Sequence, residues 1–267
     1  AGQPGTDARV PQAVQVAPTA RPQPVGAALP LQQLSATAYE DLRRCPYRFF
    51  ALRQLGLKEA DELDAELDKR DFGTWLHAVL RQFHEALAQQ PVPPGAQRVA
   101  LIDEAAEAQT RALGLDEGEF LPFAAGWPQV RDGYLGWLER HEAQGAQFSE
   151  AEVQRNTPLG ALTLVGRLDR IDQLADGQRM VMDYKTESQS TTADRVKSAN
   201  EDTQLAFYAA LLPDDTLRAA YVNISERETR PFEQKDVVAA RDALLGGIRA
   251  DLAAIADGAP LPALGEG

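Results

Sequence analysis

The sequence lacks the features of a disulfide-stabilised, secreted or membrane-spanning protein. A single cysteine, Cys45, occurs among 267 residues, which excludes a disulfide or a four-cysteine metal site within this chain. No apolar run reaches the roughly 18 residues of a membrane helix, so we predict no contact with a membrane. The N-terminal residues contain no basic stretch before an apolar core, so no signal peptide is expected. These absences favour a reducing, cytoplasmic setting.

The sequence also contains few basic residues relative to acidic ones. The chain has 27 Lys and Arg against 40 Asp and Glu, a formal net charge of −13. Such a protein repels nucleic acid overall, so binding would need a local basic patch or bound cations. The densest basic run comprises Arg43, Arg44, Arg48 and Arg53. It is equally consistent with a solvated helix face and with phosphate contacts.

Composition divides the chain into an arm, a folded domain and a tail. Residues 1–33 are rich in Pro, Ala and Gln without periodicity, which predicts a linker or an arm that docks along another surface. One domain is expected over residues 34–258, with a helical part at 34–145 and an α/β core at 146–258. Residues 259–267 are expected to form a tail.

Hydrophobic periodicity predicts an α/β fold, in which Ser35 caps the first helix. Helices are predicted at about 35–44, 46–55, 72–88, 98–113, 124–144, 202–212 and 237–256, strands at about 148–156, 162–169, 180–186 and 217–224, and a polar loop at 187–200. Three consecutive antiparallel strands and a further strand indicate a central mixed sheet flanked by helices, after an N-terminal helical part.

Two of these strands form a hairpin that concentrates charge. Because side chains alternate along a strand, Asp183 and Lys185 point the same way while the intervening Tyr184 points the other way. The hairpin turn brings Asp169 of the preceding strand alongside. Two carboxylates and an ammonium group are costly to bury without a purpose. They suit a divalent metal ion and a phosphate group.

Other polar residues are weaker candidates. His77 and His84 flank the apolar stripe of one helix, where a histidine is more often exposed or satisfied by a partner than a ligand. Gln204 and Tyr208 are four residues apart and share a helix face.

Charged residues near the hairpin have alternative interpretations. Asp172 lies an odd number of strand positions from Asp169, so it faces away in a regular strand, and an ion pair with Arg170 or Arg167, or a surface charge, is favoured over a catalytic role. Arg195 and Lys197, in the predicted loop, are candidate phosphate contacts.

Five elements, in order, resemble the PD-(D/E)XK nuclease superfamily and, within it, exonuclease domains of the RecB/AddB type. They are the N-terminal stretch 34–50, the helical histidine motif Gly73–His77, the first acidic motif Gly166–Asp169, the second motif Asp183–Thr186 and the QxxxY motif Gln204–Tyr208. The resemblance covers about residues 34–256 and implies a restriction-endonuclease-like core.

The resemblance also implies a set of roles for these residues. Mg²⁺ or Mn²⁺ would be bound by His77, Asp169, Asp183 and the Tyr184 carbonyl, and an imidazole ligand slightly favours Mn²⁺. Lys185 would orient or deprotonate the attacking water. The remaining two, Gln204 and Tyr208, would touch the substrate backbone or brace the site.

One departure from the family concerns the cysteine. In AddB-type nucleases, a cysteine at the position of Cys45 is one of four that hold an iron–sulfur cluster, the others lying near the C-terminus. No cysteine follows Cys45 here, so we predict no iron–sulfur cluster in this chain and a plain buried thiol. Either the sequence stops short of the other three, or this branch has lost them.

The implied function is a metal-dependent DNA nuclease of the bacterial cytoplasm, an exonuclease on single strands or duplex ends. It would be part of, or accessory to, a helicase–nuclease recombination enzyme, with DNA and a helicase partner or parent chain as partners. One alternative is a DNA-end-binding or docking module whose catalysis has lapsed, against which the intact Asp169, Asp183 and Lys185 argue. The other is a stand-alone structure-specific endonuclease of the same superfamily.

Overall fold

A computed structural model describes residues 20–58, 69–115, 117–197, 201–213 and 217–264. Its helices are α1 (Ala36–Arg44), α2 (Pro46–Phe49), α3 (Lys69–Gln89), α4 (Ala96–Ala112), α5 (Glu117–Ala143), α6 (Gln189–Arg195), α7 (Gln204–Ala210) and α8 (Val237–Ala256), and its strands are β1 (Gln33–Leu34), β2 (Gln147–Leu159), β3 (Leu162–Gln173), β4 (Arg179–Lys185), β5 (Leu217–Ile224) and β6 (Thr229–Glu233). One turn of π-helix, Phe50–Gln54, follows α2. None of the described helices is long and apolar enough to cross a membrane.

The described strands form one mixed sheet centred on β3. Strand β2 pairs antiparallel along one edge of β3. The other edge is shared by β1, parallel at Thr163 and Leu164, and β4, antiparallel from Arg170 to Gln173. Strand β5 runs parallel to β4, and β6 pairs antiparallel with β5. The predicted meander of three antiparallel strands is confirmed.

Helices cover both faces of the sheet and create two apolar cores. Helices α1, α7 and α8 pack on one face, around residues such as Leu168, Val181 and Ile248. The other face is covered by α3, α4 and α5, around residues such as Trp75 and Met182. The expectation of an α/β fold with a mixed sheet between helices is therefore confirmed.

Successive side chains of β4 point to opposite faces of the sheet. Met180, Met182 and Tyr184 are buried in the core beneath α3, α4 and α5, as their spacing predicts. Asp183 and Lys185 consequently lie on the opposite face, toward α7. Strand β5 is buried on both faces, which explains its nearly continuous apolar sequence.

Three elements were missed by the sequence prediction. The polar stretch after β4 contains α6, whose start is capped by the Ser188 side chain accepting a hydrogen bond from the Thr191 amide at 3.2 Å. Strand β1 is only two residues long and β6 has exposed, polar positions, so neither shows a hydrophobic period. Strands β1 and β6 therefore depend on tertiary partners, while α6 has a local cap but almost no apolar residues to mark it.

The described part of the predicted N-terminal arm runs beside the predicted tail. The Leu261 amide donates to the Pro24 carbonyl at 2.7 Å, and the Ala263 amide donates to the Pro22 carbonyl at 3.1 Å. Leu34 and Leu261 are both buried in the core beneath α1, α7 and α8. This arm therefore docks on its own domain, while residues 1–19 lie outside the described ranges.

Candidate active site

The site begins where β3 and β4 separate. Their pairing ends at Arg170 and Met182, so Asp169 and Asp183 stand just beyond the last rung. Instead of a ladder bond, the Tyr184 amide donates to Asp169 Oδ2 at 2.9 Å. Both aspartates are nevertheless buried. The end of the β3–β4 pairing therefore places two buried carboxylates close to each other.

Lys185 is held beside Asp183 by contacts from two elements. Its Nζ lies 2.8 Å from Asp183 Oδ2 and donates to Gln204 Oε1 at 2.8 Å. The same Gln204 donates through Nε2 to Asp183 Oδ1 at 2.7 Å and to the Tyr208 hydroxyl at 3.1 Å. The side-chain amide of Gln204 thereby fixes the positions of both the ammonium group and the carboxylate.

A close approach between α7 and β3 depends on Gly166. A Cβ atom at this position would lie 2.6 Å from Leu211 Cδ1 and 4.0 Å from Tyr208 Cε1. Any larger residue here would require the Leu211 side chain, just after the end of α7, to move. The glycine of the first acidic motif therefore leaves room for the Leu211 side chain and lies against the ring of Tyr208.

His77 reaches the same point from α3. Its Nδ1 lies 3.4 Å from Asp169 Oδ2 and 3.5 Å from Glu152 Oε1, and its Nε2 lies 3.3 Å from the Tyr184 carbonyl oxygen. The Tyr184 carbonyl predicted as a ligand therefore adjoins the predicted imidazole ligand.

Glu152, on β2, is a site residue that sequence reasoning missed. Its backbone has φ of 48°, in the left-handed region that non-glycine residues rarely adopt. Such strained conformations are often associated with functional sites. The sequence alone could not have identified it, because Glu152 comes beside Asp169 only through the register of β2 on β3, which pairs Ala151 with Arg170 and Val153 with Leu168. The one available signal was a carboxylate on the strand that precedes the first acidic motif.

The donor atoms suit a divalent cation. Ligand atoms of His77, Glu152 and Asp169 all lie within 4.8 Å of one another. Asp183 is next to this cluster but is engaged by Lys185 and Gln204. Carboxylates and a carbonyl are the oxygen donors that Mg²⁺ and Mn²⁺ prefer, and imidazole is compatible with Mn²⁺. The chemistry of the donor set therefore fits a divalent metal ion.

The charges of these groups perturb their protonation. Burial and the neighbouring Asp169 carboxylate raise the pKa of Asp183 to about 6, although Lys185 opposes the shift. Burial would lower the pKa of His77, but the Asp169 and Glu152 carboxylates raise it to about 10. In the absence of a cation, an imidazolium group thus supplies positive charge to the carboxylates.

Beneath the site, on the opposite face of the sheet, lies a buried polar network. Arg170 binds Asp172 through two hydrogen bonds of 2.8 and 2.9 Å, which confirms the ion pair predicted for Asp172. Arg170 also contacts His84 Nε2 at 2.7 Å and donates to the Tyr134 hydroxyl at 3.0 Å. His84 is therefore a buried core histidine: its Nε2 contacts Arg170 and the Tyr134 hydroxyl, and its Nδ1 has no hydrogen-bond partner among the described residues. It does not take part in the site of His77.

Several predicted phosphate contacts are already engaged by carboxylates. Arg195 binds Glu187 at 2.6 Å and Asp202 at 2.5 Å, and Lys197 binds Asp194 at 2.5 Å. In the basic run near the N-terminus, Arg53 contacts Asp41 at 2.7 Å and Arg44 contacts Glu40 at 2.6 Å. These pairs favour a structural interpretation of both sets.

The thiol of Cys45 is buried, as predicted from the sequence.

Comparisons with known proteins agree with this geometry. A sequence model described as the PD-(D/E)XK nuclease superfamily matches residues 33–266. No curated protein matches the chain. Among solved structures, a "Putative exonuclease" from Eubacterium rectale is similar at 12% identity and a TM-score of 0.47, covering 86% of this chain and 84% of that one. The structure of SSO0001 is similar at 16% identity and a TM-score of 0.28, covering 68% of this chain and 87% of that one.

Proposed function

The chain belongs to the PD-(D/E)XK nuclease superfamily, and from this premise we propose that it is a metal-dependent DNA exonuclease of the RecB/AddB type. Its substrate is single-stranded DNA or a duplex end. The observation that carries the proposal is the convergence of Asp183, Lys185 and Gln204 beside His77 and Asp169 at the separation of β3 and β4. A core built only for stability has little reason to bury two neighbouring carboxylates.

Mg²⁺ or Mn²⁺ is the proposed cofactor. We assign His77, Asp169, Asp183 and the Tyr184 carbonyl as its ligands and add Glu152 to the set predicted from the sequence. When bound, the cation would neutralise the scissile phosphate and acidify a water molecule. The imidazole slightly favours Mn²⁺.

The protein side chains provide orientation and charge. Lys185 donates hydrogen bonds, so it can align the attacking water and stabilise the negative charge that develops on the phosphate. Gln204 accepts from Lys185 and donates to Asp183, which keeps the ammonium group directed into the site. Tyr208, in contact with Gln204, braces this arrangement or contacts the substrate backbone.

The test is degradation of linear DNA in the presence of Mg²⁺ or Mn²⁺ by the wild type and by Lys185→Ala. Removal of the ammonium group should lower the rate by about 100-fold or more, because charge stabilisation at the reacting centre is lost. Lys235→Ala, an exposed lysine between β6 and α8, serves as the matched control. Equal rates for Lys185→Ala and the wild type, or a wild type that is inactive with every metal, would contradict the proposal.

A second substrate tests the mode of cleavage. An exonuclease needs an end, so circular single-stranded DNA should remain intact while linear DNA of the same sequence is degraded. Cleavage of the circle would identify a structure-specific endonuclease instead. DNA binding without cleavage of either substrate would identify a binding or docking module.

The proposed setting is a helicase–nuclease enzyme of the bacterial cytoplasm, with a helicase as partner or as part of the same polypeptide. We propose residues 34–258 as the nuclease domain, with the helical part at 34–145 and the catalytic core at 146–258. Copurification of a helicase with the tagged protein from its own cells tests the partnership.

A further inference from the structure

A cavity of about 430 Å³ opens beside His77, between α3 and the β2–β3 pair. Its wall includes His77 and Glu152 of the candidate metal site and two arginines, Arg81 and Arg167. Neither arginine was singled out as a phosphate contact by the sequence motifs. The cavity is large compared with a single water molecule, which occupies about 30 Å³ in the liquid.

Arg81 has an unused hydrogen-bonding group in this wall. It lies four residues after His77 on α3, so the two side chains share one face of the helix. Its Nε is buried but has no hydrogen-bond partner among the described residues. A buried donor without a partner is uncommon in folded proteins and calls for an explanation, such as a ligand.

Arg167, the second arginine of the wall, is largely exposed. It lies on β3 two residues before Asp169, and 60% of its side chain is exposed. Its contact with Glu152 is a loose one, Nη1 to Oε2 at 3.6 Å. Arg167 also lines a second cavity, of about 210 Å³, together with Gln204 and Tyr208. Its guanidinium group therefore borders open space on both sides of the candidate active site.

These two cations contrast with Arg195. Arg195 lines the smaller cavity too, but its guanidinium is bound by the carboxylates of Glu187 and Asp202. Among the described residues that line the larger cavity, Glu152 is the one carboxylate, and it faces both Arg167 and His77. His77 also faces Asp169, which lies behind this wall. The wall of this cavity thus presents two arginines against one carboxylate. In a protein of net charge −13, such a local group of arginines is what attachment of a polyanion requires.

We propose that the cavity beside His77 binds a backbone phosphate of the DNA strand next to the one that is cleaved, with Arg81 and Arg167 as its ligands. Guanidinium groups bind phosphate oxygens through two parallel hydrogen bonds. In Arg81, the Nε–H donor is available for such a bond. The subsite rests on the proposed function. It would hold the strand in register over Asp169 and Lys185.

The test is binding of a labelled single-stranded oligonucleotide, followed by fluorescence anisotropy with EDTA present and repeated over a range of salt concentrations. Arg81→Gln and Arg167→Gln should each weaken binding by about five- to tenfold. Each should also flatten the slope of log K against log salt by about 0.7, the value for one phosphate contact on a single strand. The control is Arg111→Gln, on α4, where the side chain is 72% exposed. It should change neither quantity.

Two further measurements separate the possible outcomes. Arg81→Lys keeps the charge without the planar fork, so it should restore part of the affinity lost in Arg81→Gln, whereas damage to the fold would not be rescued. Melting curves identify any misfolded variant. Affinity and salt slope unchanged in both glutamine variants, or reduced equally in Arg111→Gln, would overturn the subsite.

The proposed function can fail separately. A wild type that binds DNA but degrades none would refute the nuclease and leave the subsite standing. A wild type that binds no DNA, with EDTA or with Mn²⁺, overturns both.

Discussion

At the scale of single residues, the site depends on side chains whose roles are set by their neighbours. Lys185 is useful because Asp183 and Gln204 hold it in one position. Glu152 is brought to His77 by a backbone conformation that its residue type disfavours. The aspartates, the lysine and the histidine of the site could be found from motifs in the sequence. Glu152 could not be found in this way, because no local pattern indicates a left-handed backbone conformation within a strand.

The contribution of Glu152 to metal binding leads to the first prediction at this scale. Glu152→Gln keeps the shape of the side chain but removes its charge, so affinity for Mn²⁺ should fall by about tenfold or more. The free ion can be measured by electron paramagnetic resonance during titration. Glu150→Gln, two residues earlier on β2 and paired with Arg155, should bind Mn²⁺ like the wild type. Equal affinities for the two variants would remove Glu152 from the ligand set.

At the scale of elements, the polar network around Arg170 and Asp172 is buried on the face of the sheet opposite the candidate site. Burial raises the pKa of Asp172, but the Arg170 guanidinium and the hydrogen bond from His141 outweigh it and leave the pKa below its ordinary value of 3.8. The His141 contact measures 2.9 Å. Because the unfolded state then binds the proton more tightly, this ion pair stabilises the fold above about pH 4 and its contribution declines as the pH falls further.

The second prediction follows from that network. Asp172→Asn leaves the Arg170 charge buried without its carboxylate, so the free energy of unfolding at pH 7 should fall by about 3–5 kcal/mol. The loss of stability on acidification should also be smaller than in the wild type, since one of the groups responsible is gone. Urea denaturation at pH 7 and at pH 3.5 measures both effects. Asp132→Asn, at an aspartate whose side chain is 64% exposed, is the control and should behave like the wild type.

Elements with strong apolar patterns could be predicted from sequence, and those held by tertiary contacts could not. The stripe through Trp75, Leu76 and Phe83 identified α3, and the run of β5 identified a buried strand. In contrast, α6 is polar and is tied to its surroundings by Arg195 and by the hydrogen bond between Asn223 and Thr192. The contact with Asn223 joins positions 31 residues apart, which a local pattern does not contain.

At the scale of the whole molecule, two layers of helices converge on one sheet, and the candidate ligands come from both. His77 arrives from the α3 side, while Lys185 and Gln204 meet on the α7 side. A cation bound there would connect α3, β3 and β4. The stability of the entire fold should therefore report on occupancy of the site.

The third prediction is a rise in melting temperature on adding Mn²⁺ or Mg²⁺ and its reversal by a chelator. At a concentration of about 100 times Kd, a ligand specific for the folded state adds about 2.7 kcal/mol. For a domain of this size, that corresponds to a shift of about 5–10 °C. Scanning calorimetry with and without metal measures it. In Asp169→Asn the shift should be largely lost, and a full shift in that variant would show that the ion binds elsewhere.

The hydrogen bonds between residues 22–24 and residues 261–263 have a consequence for how the domain can be attached to other polypeptides. A segment fused ahead of Pro22 and another fused behind Ala263 would emerge side by side, so a short tether could bridge them. Folds with adjacent termini tolerate insertion into a host loop and circular permutation. We therefore expect this domain to fold with the same topology when it is inserted within a longer polypeptide.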